Sequence, residues 1–232
     1  MIELNGVRKT YGRTVAVERV DLAVGAGELV GLIGHNGAGK STVLKMIGGQ
    51  LLPTEGTVKV GGVDVREDPN AARERLGLVP EDVALYEYLT AREFLEFVID
   101  VRGRGDLAEG LAVAGLGADA DRLIREYSQG MRRKTAIAAA VVARPPVLVL
   151  DEALNGLDPP SAARVKEHLH ALRLAGTAIL LSTHVLETVE RLATRVVMLA
   201  HGRVVADAAV EDIGEAGLER MFLERIGQSV GG

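Results

Sequence analysis

One segment constrains this chain more than any other: Gly34-His35-Asn36-Gly37-Ala38-Gly39-Lys40-Ser41, which has the form GxxxxGK[ST]. It follows Leu29-Val30-Gly31-Leu32-Ile33, a short run apolar on both faces, and it precedes Thr42-Val43-Leu44-Lys45-Met46-Ile47, which reads as helix. A strand apolar on both faces belongs in a parallel sheet covered from both sides. A glycine-rich turn from such a strand into a helix lets consecutive backbone N–H groups converge on a phosphate, with the helix N-terminus adding partial positive charge. In that setting Lys40 reaches terminal phosphates and the Ser41 hydroxyl can ligate magnesium. The plain alternative is a glycine-rich turn without a ligand, but motif and context agree on nucleotide binding.

Two further runs repeat the doubly apolar pattern, Val147-Leu148-Val149-Leu150 and Ala178-Ile179-Leu180-Leu181, each followed by polar residues and a helical pattern. The repetition predicts a parallel αβ sheet. The first run ends in Asp151-Glu152, with Asp151 lying 111 residues after Lys40. An isolated acid pair capping a strand is usually just solvated. Beside a phosphate loop, however, the terminal acid of the neighbouring strand lies next to the metal. Asp151 is then the candidate to hold Mg²⁺ through water, and Glu152 the candidate to polarise the attacking water.

Around this core, Val15, Val17, Val20, Leu22 and Val24 nearly alternate with polar or small residues, which predicts a half-exposed strand of an antiparallel sheet. Val165, Leu169 and Leu172 mark a helix entered through Asp158-Pro159-Pro160 with Asp158 as N-cap, and Val185, Val189 and Leu192 mark another. From about residue 86 to 142 the strand pattern gives way to helical spacing: Phe94, Val98 and Val101, then Leu107, Leu111 and Ala114, broken at Gly103 to Gly105. This segment reads as a mostly helical insertion. A short amphipathic helix is expected around Leu218, Met221, Phe222 and Ile226, followed by a flexible tail over 226–232.

Composition removes several function classes. A formal charge of −5 offers no dominant basic field for holding nucleic acid or anionic lipid. The absence of cysteine excludes a disulfide framework, a thiolate zinc site and a catalytic thiol. Met1-Ile2-Glu3-Leu4-Asn5 lacks the basic-then-apolar pattern of a secretory signal, and the longest mostly apolar stretch, Ala136 to Leu150, is interrupted by Arg144-Pro145-Pro146. That stretch falls short of the roughly 20 residues a membrane span needs. Direct membrane insertion is not expected, and any membrane role would come through a partner.

The order of these pieces resembles the ATP-binding subunit of ABC transporters, and the resemblance covers about residues 2 to 225. Tyr11 stands 23 residues before Gly34, where that family carries the aromatic that stacks on adenine, in a chain with only three Phe and four Tyr. Tyr127-Ser128-Gln129-Gly130-Met131 occupies the place of the LSGGQ signature; Ser128 and Gly130 match, while Gln129 and Met131 depart. Taken alone, Ser128 capping a helix from Met131 to Ala143 is an ordinary cap. Asn155-Gly156-Leu157-Asp158 resembles the D-loop. His184, after Leu181-Ser182-Thr183 and 33 residues beyond Asp151, resembles the switch histidine, while His35 fills a variable place within the loop. Leu76-Gly77-Leu78-Val79-Pro80-Glu81 stands at the Q-loop, with Glu81 where most members have glutamine, and Ala153-Leu154 replaces the usual Pro-Thr.

The resemblance implies an α/β P-loop NTPase fold of the ABC ATPase type: a mixed or parallel sheet core, an antiparallel β-subdomain and a helical subdomain at about 86–142, all within one ATP-binding domain over 1–225. It implies ATP and Mg²⁺ as ligands. The nucleotide would lie on Tyr11, Gly34, His35, Asn36, Gly37, Ala38, Gly39, Lys40, Ser41 and Thr42, with Ser128 and Gly130 closing from a second chain. Ser41, Glu81 and Asp151 would serve the metal, and Glu152 and His184 catalysis. It further implies pairing of two cassettes, as a homodimer or with another cassette, around two ATP molecules, and a separately encoded membrane-spanning permease of the exporter type. The chain would then sit on the cytoplasmic face of the membrane. Two rivals remain. A soluble relative acting on DNA or ribosomes would carry a long coiled coil between the phosphate loop and the acids, or two cassettes in one chain, and neither is present. A degenerate cassette that binds ATP without turnover is suggested by Glu81, Gln129 and Met131 and opposed by Lys40, Glu152 and His184. Finally, Tyr86, Tyr88, Phe94 and Phe97 gather four of the seven aromatics just after Glu81. Phe94 and Phe97 are expected in the core of the helical lobe, Tyr86 and Tyr88 on its surface as a docking patch.

Overall fold

The computed structural model describes residues 1–213, 217–221 and 223. Its frame is a six-stranded sheet formed by β3 (Leu29–Ile33), β6 (Leu76–Val79), β7 (Val147–Asp151), β8 (Ala178–Ser182), β9 (Arg195–Ala200) and β10 (Arg203–Ala209), in the spatial order β10-β9-β3-β8-β7-β6. Every pairing is parallel except that of β9 with β10. A second sheet, wholly antiparallel, has the order β2-β1-β4-β5, from β1 (Ile2–Tyr11), β2 (Thr14–Val24), β4 (Glu55–Val60) and β5 (Val63–Asp64). The sheet is therefore mixed and the fold α/β, as the sequence predicts.

Alternation along the central strands sorts the core into two layers. Val30 and Leu32 of β3, Val149 of β7, Leu180 of β8 and Val197 of β9 point toward the antiparallel sheet, packing with Ile2, Leu4 and Val17 and with Met46 of α1 (Lys40–Ile47). Leu29, Ile33, Leu148, Leu150, Ile179 and Leu181 point the other way, into a layer closed by helices. Each such aliphatic side chain contributes about 1.5–3 kcal/mol when fully buried. That burial is why strands without a polar face are stable only at the centre of the molecule.

Between β6 and β7 lie only helices and 3-10 turns: α3 (Ala91–Arg102), α4 (Leu107–Ala114) and α5 (Gln129–Val141). A capping box between Thr90 and Glu93 starts α3, and Gly103 in the left-handed conformation stops it. Gly77 lets α5 come close to the sheet, because a Cβ there would lie 2.3 Å from the Ala140 carbonyl oxygen. After β7, α6 (Pro159–Leu174) starts at the Asp158 cap, whose carboxylate accepts from the Ser161 amide, and α7 (Leu186–Leu192) follows β8. Helix α2 (Pro69–Glu74) leads into β6.

Several local expectations differ from the structure. Val101 is 69% exposed and Phe97 44% exposed, so only Phe94 of that helix's aromatic pair enters the core, and Phe97 instead meets Tyr86 edge to face at 5.6 Å. Val185 is the exposed N-cap residue of α7, not part of its buried face. Helix α5 begins at Gln129, two residues earlier than expected. In β2 the alternation slips at Arg19, a non-glycine residue with φ 29° in a stretch of shifted register, so Val17 and Val20 both point inward while Val15 is exposed. Residues 217–221 and 223 are helical, with Leu218 buried, whereas Phe222, Ile226 and the tail 226–232 lie outside the described residues. Among the described residues no helix is long and apolar enough to cross a membrane.

Candidate functional site

The parallel strands β3, β7 and β8 end on one edge of the sheet, and the motif residues follow those ends. Gly39 is the N-cap of α1 at φ 105°, and no side chain caps the helix. The first-turn amides of α1 are thus left to an external acceptor. The loop fits tightly against its supports: a Cβ on Gly34 would lie 2.4 Å from the Leu199 carbonyl oxygen, and one on Gly39 2.7 Å from that of Ala16. Lys40 is buried and folds back across the loop, its ammonium donating to the carbonyls of Gly34 at 2.6 Å and His35 at 3.3 Å. His35 turns aside, its Nδ1 2.7 Å from the Asn36 carbonyl oxygen and its ring 5.2 Å from that of His201.

A cavity of about 390 Å³ opens over the loop, bounded by residues 36–42, by 14–16 of β2, and by Glu81, Asp151 and Glu152. A second, of about 500 Å³, shares Asn36, Glu81 and Glu152 with it and adds Gly34, Asn155 and His184. A larger cavity of about 890 Å³ lies elsewhere, between Arg73, Arg75, Arg102 and Arg104, and contains none of the motif residues. Size alone does not locate the chemistry.

Asp151 closes β7 almost fully buried, and burial pushes its carboxyl above the usual carboxylate range. The charges of Glu81 and Glu152 push the same way, and Lys40 opposes them. The neighbouring Ser182 hydroxyl also draws the value down, yet it makes no hydrogen bond of full geometry and remains a buried polar atom without a partner. Three carboxylates against one ammonium, with an unsatisfied hydroxyl beside them, form a hard-oxygen environment that suits a divalent cation. Among the described residues no three acidic or imidazole groups form a metal cluster of their own.

Glu152 follows at φ 48°, in the left-handed region that β-carbon-bearing residues avoid. Its amide donates to the Ser182 carbonyl at 3.0 Å. Its Oε2 accepts from Asn155 Nδ2 at 2.7 Å and lies 3.1 Å from His184 Nδ1. Glu152 is therefore held from the β8 side and from the loop after it, with its carboxylate directed into the second cavity.

The remaining predicted residues are placed differently. Tyr11 ends β1 beside its hairpin partner Thr14, a cavity-lining residue, with its ring half exposed and the Lys9 ammonium 5.4 Å from the ring centre. Ser128 caps α5, accepting from the Met131 amide at 3.3 Å. Gln129 and Gly130 line a separate cleft with Glu81, Asp82, Arg132, Arg133, Asn155 and Gly156, and Lys40 is not among its walls. One residue had no place in the sequence reading: Arg133, whose guanidinium donates to the backbone carbonyls of Glu81, Glu152 and Asn155. A basic residue on a helix ordinarily reads as solvated surface, so no motif signals it.

Comparison with known proteins places this geometry. The family model described as ABC transporter matches residues 17–155. The chain is 40% identical over 218 residues to the daunorubicin/doxorubicin resistance ATP-binding protein DrrA of Streptomyces peucetius, covering 91% of this chain and 66% of that one. It is 33% identical to the bacitracin transport ATP-binding protein BcrA of Enterococcus faecalis, covering 92% and 70%. The chain thus spans about two thirds of the length of these curated relatives. Among solved structures, an ATP-binding subunit of an ABC transporter superposes with a TM-score of 0.92 at 32% identity, covering 97% of this chain and 99% of the other. The dimeric post-hydrolysis state of the ATP-binding cassette MJ0796, bound to ADP and Pi, gives 0.82 at 27%, covering 90% and 99%.

Proposed function

Because the chain belongs to the ABC transporter ATP-binding family, we propose that it is the ATP-hydrolysing subunit of an exporter, pairing with a second cassette around ATP and driving a separately encoded membrane-spanning permease. The observation that carries this reading is the convergence of Lys40, Asp151, Glu152 and His184 on two adjoining cavities at the strand ends. Its relatives DrrA and BcrA bear names tied to drug resistance and bacitracin transport. The proposed working place is the cytoplasmic face of the membrane. Residues 1–225 would act as one ATP-binding unit, with the helical segment of about 86–142 as its subdomain.

Each residue's role follows from its chemistry. The loop amides and Lys40 bind the phosphates, and Tyr11 offers a face for the base. Ser41, Glu81 and, through water, Asp151 would hold Mg²⁺, which would neutralise charge on the phosphate oxygens. Glu152 takes a proton from the attacking water as its oxygen bonds to the γ-phosphorus and the bond to the ADP oxygen breaks. His184, adjacent to that carboxylate, orients it and can donate toward the γ-phosphate. Glu81 in place of glutamine adds negative charge at the metal side, which Lys40 and the cation offset.

The permease is expected beside the helical lobe, where Leu78, Pro80, Leu85, Phe94, Phe97 and Ala136 line an apolar groove of about 240 Å³. Tyr86 and Tyr88 are both exposed, and Tyr86 packs on Phe94 and Phe97 of that groove. Tyr88 is the more exposed of the two, with the Arg125 guanidinium 5.7 Å from its ring centre.

The test is Glu152→Gln in the chain assembled with its proposed permease partner. Side-chain size is kept and basicity is lost, so turnover falls by at least about a hundredfold while ATP binding persists. Equal turnover in mutant and wild type would reject the assignment. Absent turnover in the wild type as well would favour the degenerate-cassette rival.

A further inference from the structure

Arg133 occupies the first turns of α5, on the helix that carries the Ser128 cap. Its planar guanidinium has five N–H donors and no acceptor. NH1 donates to the carbonyls of Glu152 and Asn155, and NH2 donates to that of Glu81 at 2.8 Å. Three segments are thereby joined by one side chain: the helical lobe, the loop after β6, and the loop after β7. Glu152 is the residue most in need of such a hold, since its φ of 48° is unfavourable for a residue with a β-carbon. Residues in that region persist only where their surroundings over-determine them. The carbonyl taken by Arg133 belongs to the same residue whose carboxylate faces Asn155 and His184, so the backbone pose and the carboxylate pose are linked.

We propose that Arg133 is a positioning residue for hydrolysis: from the signature helix it fixes the pose of Glu152 and keeps the Glu81 loop in register with it. The proposal rests on the reading of Glu152 as the base. It also gives the helical lobe a direct mechanical link to the catalytic loops of its own chain, distinct from whatever α5 presents to a second cassette. Lysine would substitute only in part, because an ammonium is a point charge without the planar fork needed to span three carbonyls.

Two measurements on the assembled complex decide it. In steady-state ATPase assays Arg133→Ala lowers kcat by about tenfold or more with KM for ATP within about twofold, and Arg133→Lys falls between it and wild type. In a Glu152→Gln background, adding Arg133→Ala brings no further loss, because both changes act through one carboxylate. In hydrogen exchange, Arg133→Ala speeds the amides of residues 80–83 and 152–156 while the central strands stay protected, which separates loss of a clamp from loss of the fold. Unchanged kcat, unchanged exchange in those loops, or an equal loss in both backgrounds would each overturn the proposal. A Glu152→Gln chain with wild-type turnover would remove the base reading alone, leaving the clamp to be judged on exchange and on kcat.

Discussion

The phosphate-loop end and the signature end of this cassette differ in how much of a site one chain completes. At the first, buried strands deliver Lys40, Asp151, Glu152 and His184 to adjoining cavities, and each already has a partner or a counter-charge within the chain. At the second, Ser128 and Gln129 are exposed, and the cleft beside Gly130 is walled by Glu81, Asn155, Gly156 and two arginines, without Lys40. A helix N-terminus open to solvent can serve an anion only if the anion is brought to it. The difference teaches that the chain carries two unlike half-sites, each of which, on the proposed reading, would be completed from a second cassette.

The strongest way to break that comparison is complementation. Lys40→Ala disables one end and Gly130→Asp the other, so each homodimer is expected to be inactive. Mixed in equal amounts with exchange of subunits, half the dimers are hybrids, and each hybrid has one site with both ends intact. Activity then returns to about a quarter of wild type for a two-fold dimer with independent sites. Mixtures that stay inactive would mean that each chain works on its own elements, or that the two sites cannot fire singly.

A smaller effect tests how far the phosphate-loop end extends. Tyr11 pairs with the cavity-lining Thr14 and has its ring half exposed, and stacking of an aromatic on a base is worth about 1–3 kcal/mol. Tyr11→Ala therefore weakens ATP by roughly 5- to 150-fold with the melting temperature unchanged. Titration with a fluorescent ATP analogue checks it, and an unchanged affinity would make Tyr11 mere surface.

The same contrast explains what the sequence discloses. Strands β3, β7 and β8 were legible because they are apolar on both faces, a pattern only a covered parallel sheet satisfies. The Asp158 and Ser128 caps were legible because capping is local chemistry. The hairpins β4/β5 and β9/β10 have no place in the sequence reading, although β9, paired with β3 and β10, carries the buried apolar run Val196-Val197-Met198-Leu199. The inward pair Val17 and Val20 was partly hidden by the bulge at Arg19. Arg133 and the left-handed pose of Glu152 could not be read at all: both depend on where three loops meet, and spacing along the chain does not encode that. Phe97 failed for a related reason, as helical periodicity marks a face but not whether another element covers it.

The smallest effect concerns stability, and it falls only on the phosphate-loop end. Asp151 is buried beside Glu81 and Glu152, and its folded-state carboxyl is held above the ordinary range, first by burial and then by those charges. A carboxyl raised in the folded state favours folding while it is protonated, and that contribution is lost as pH rises through the raised value. At neutral pH the empty site thus carries a cost that Asp151→Asn removes, so the nucleotide-free variant melts higher than wild type. The gap shrinks as pH falls through the raised carboxylate value, because the wild-type carboxyl then becomes neutral as well. With Mg²⁺ and ATP the order reverses, since the ion offsets the buried charge in wild type and has lost its ligand in the variant. Melting curves at two pH values, with and without Mg²⁺-ATP, check all three statements. A nucleotide-free variant less stable than wild type at neutral pH would show that the Asp151 carboxylate supports the fold, and that this end of the cassette is not held in readiness for a cation at the expense of stability.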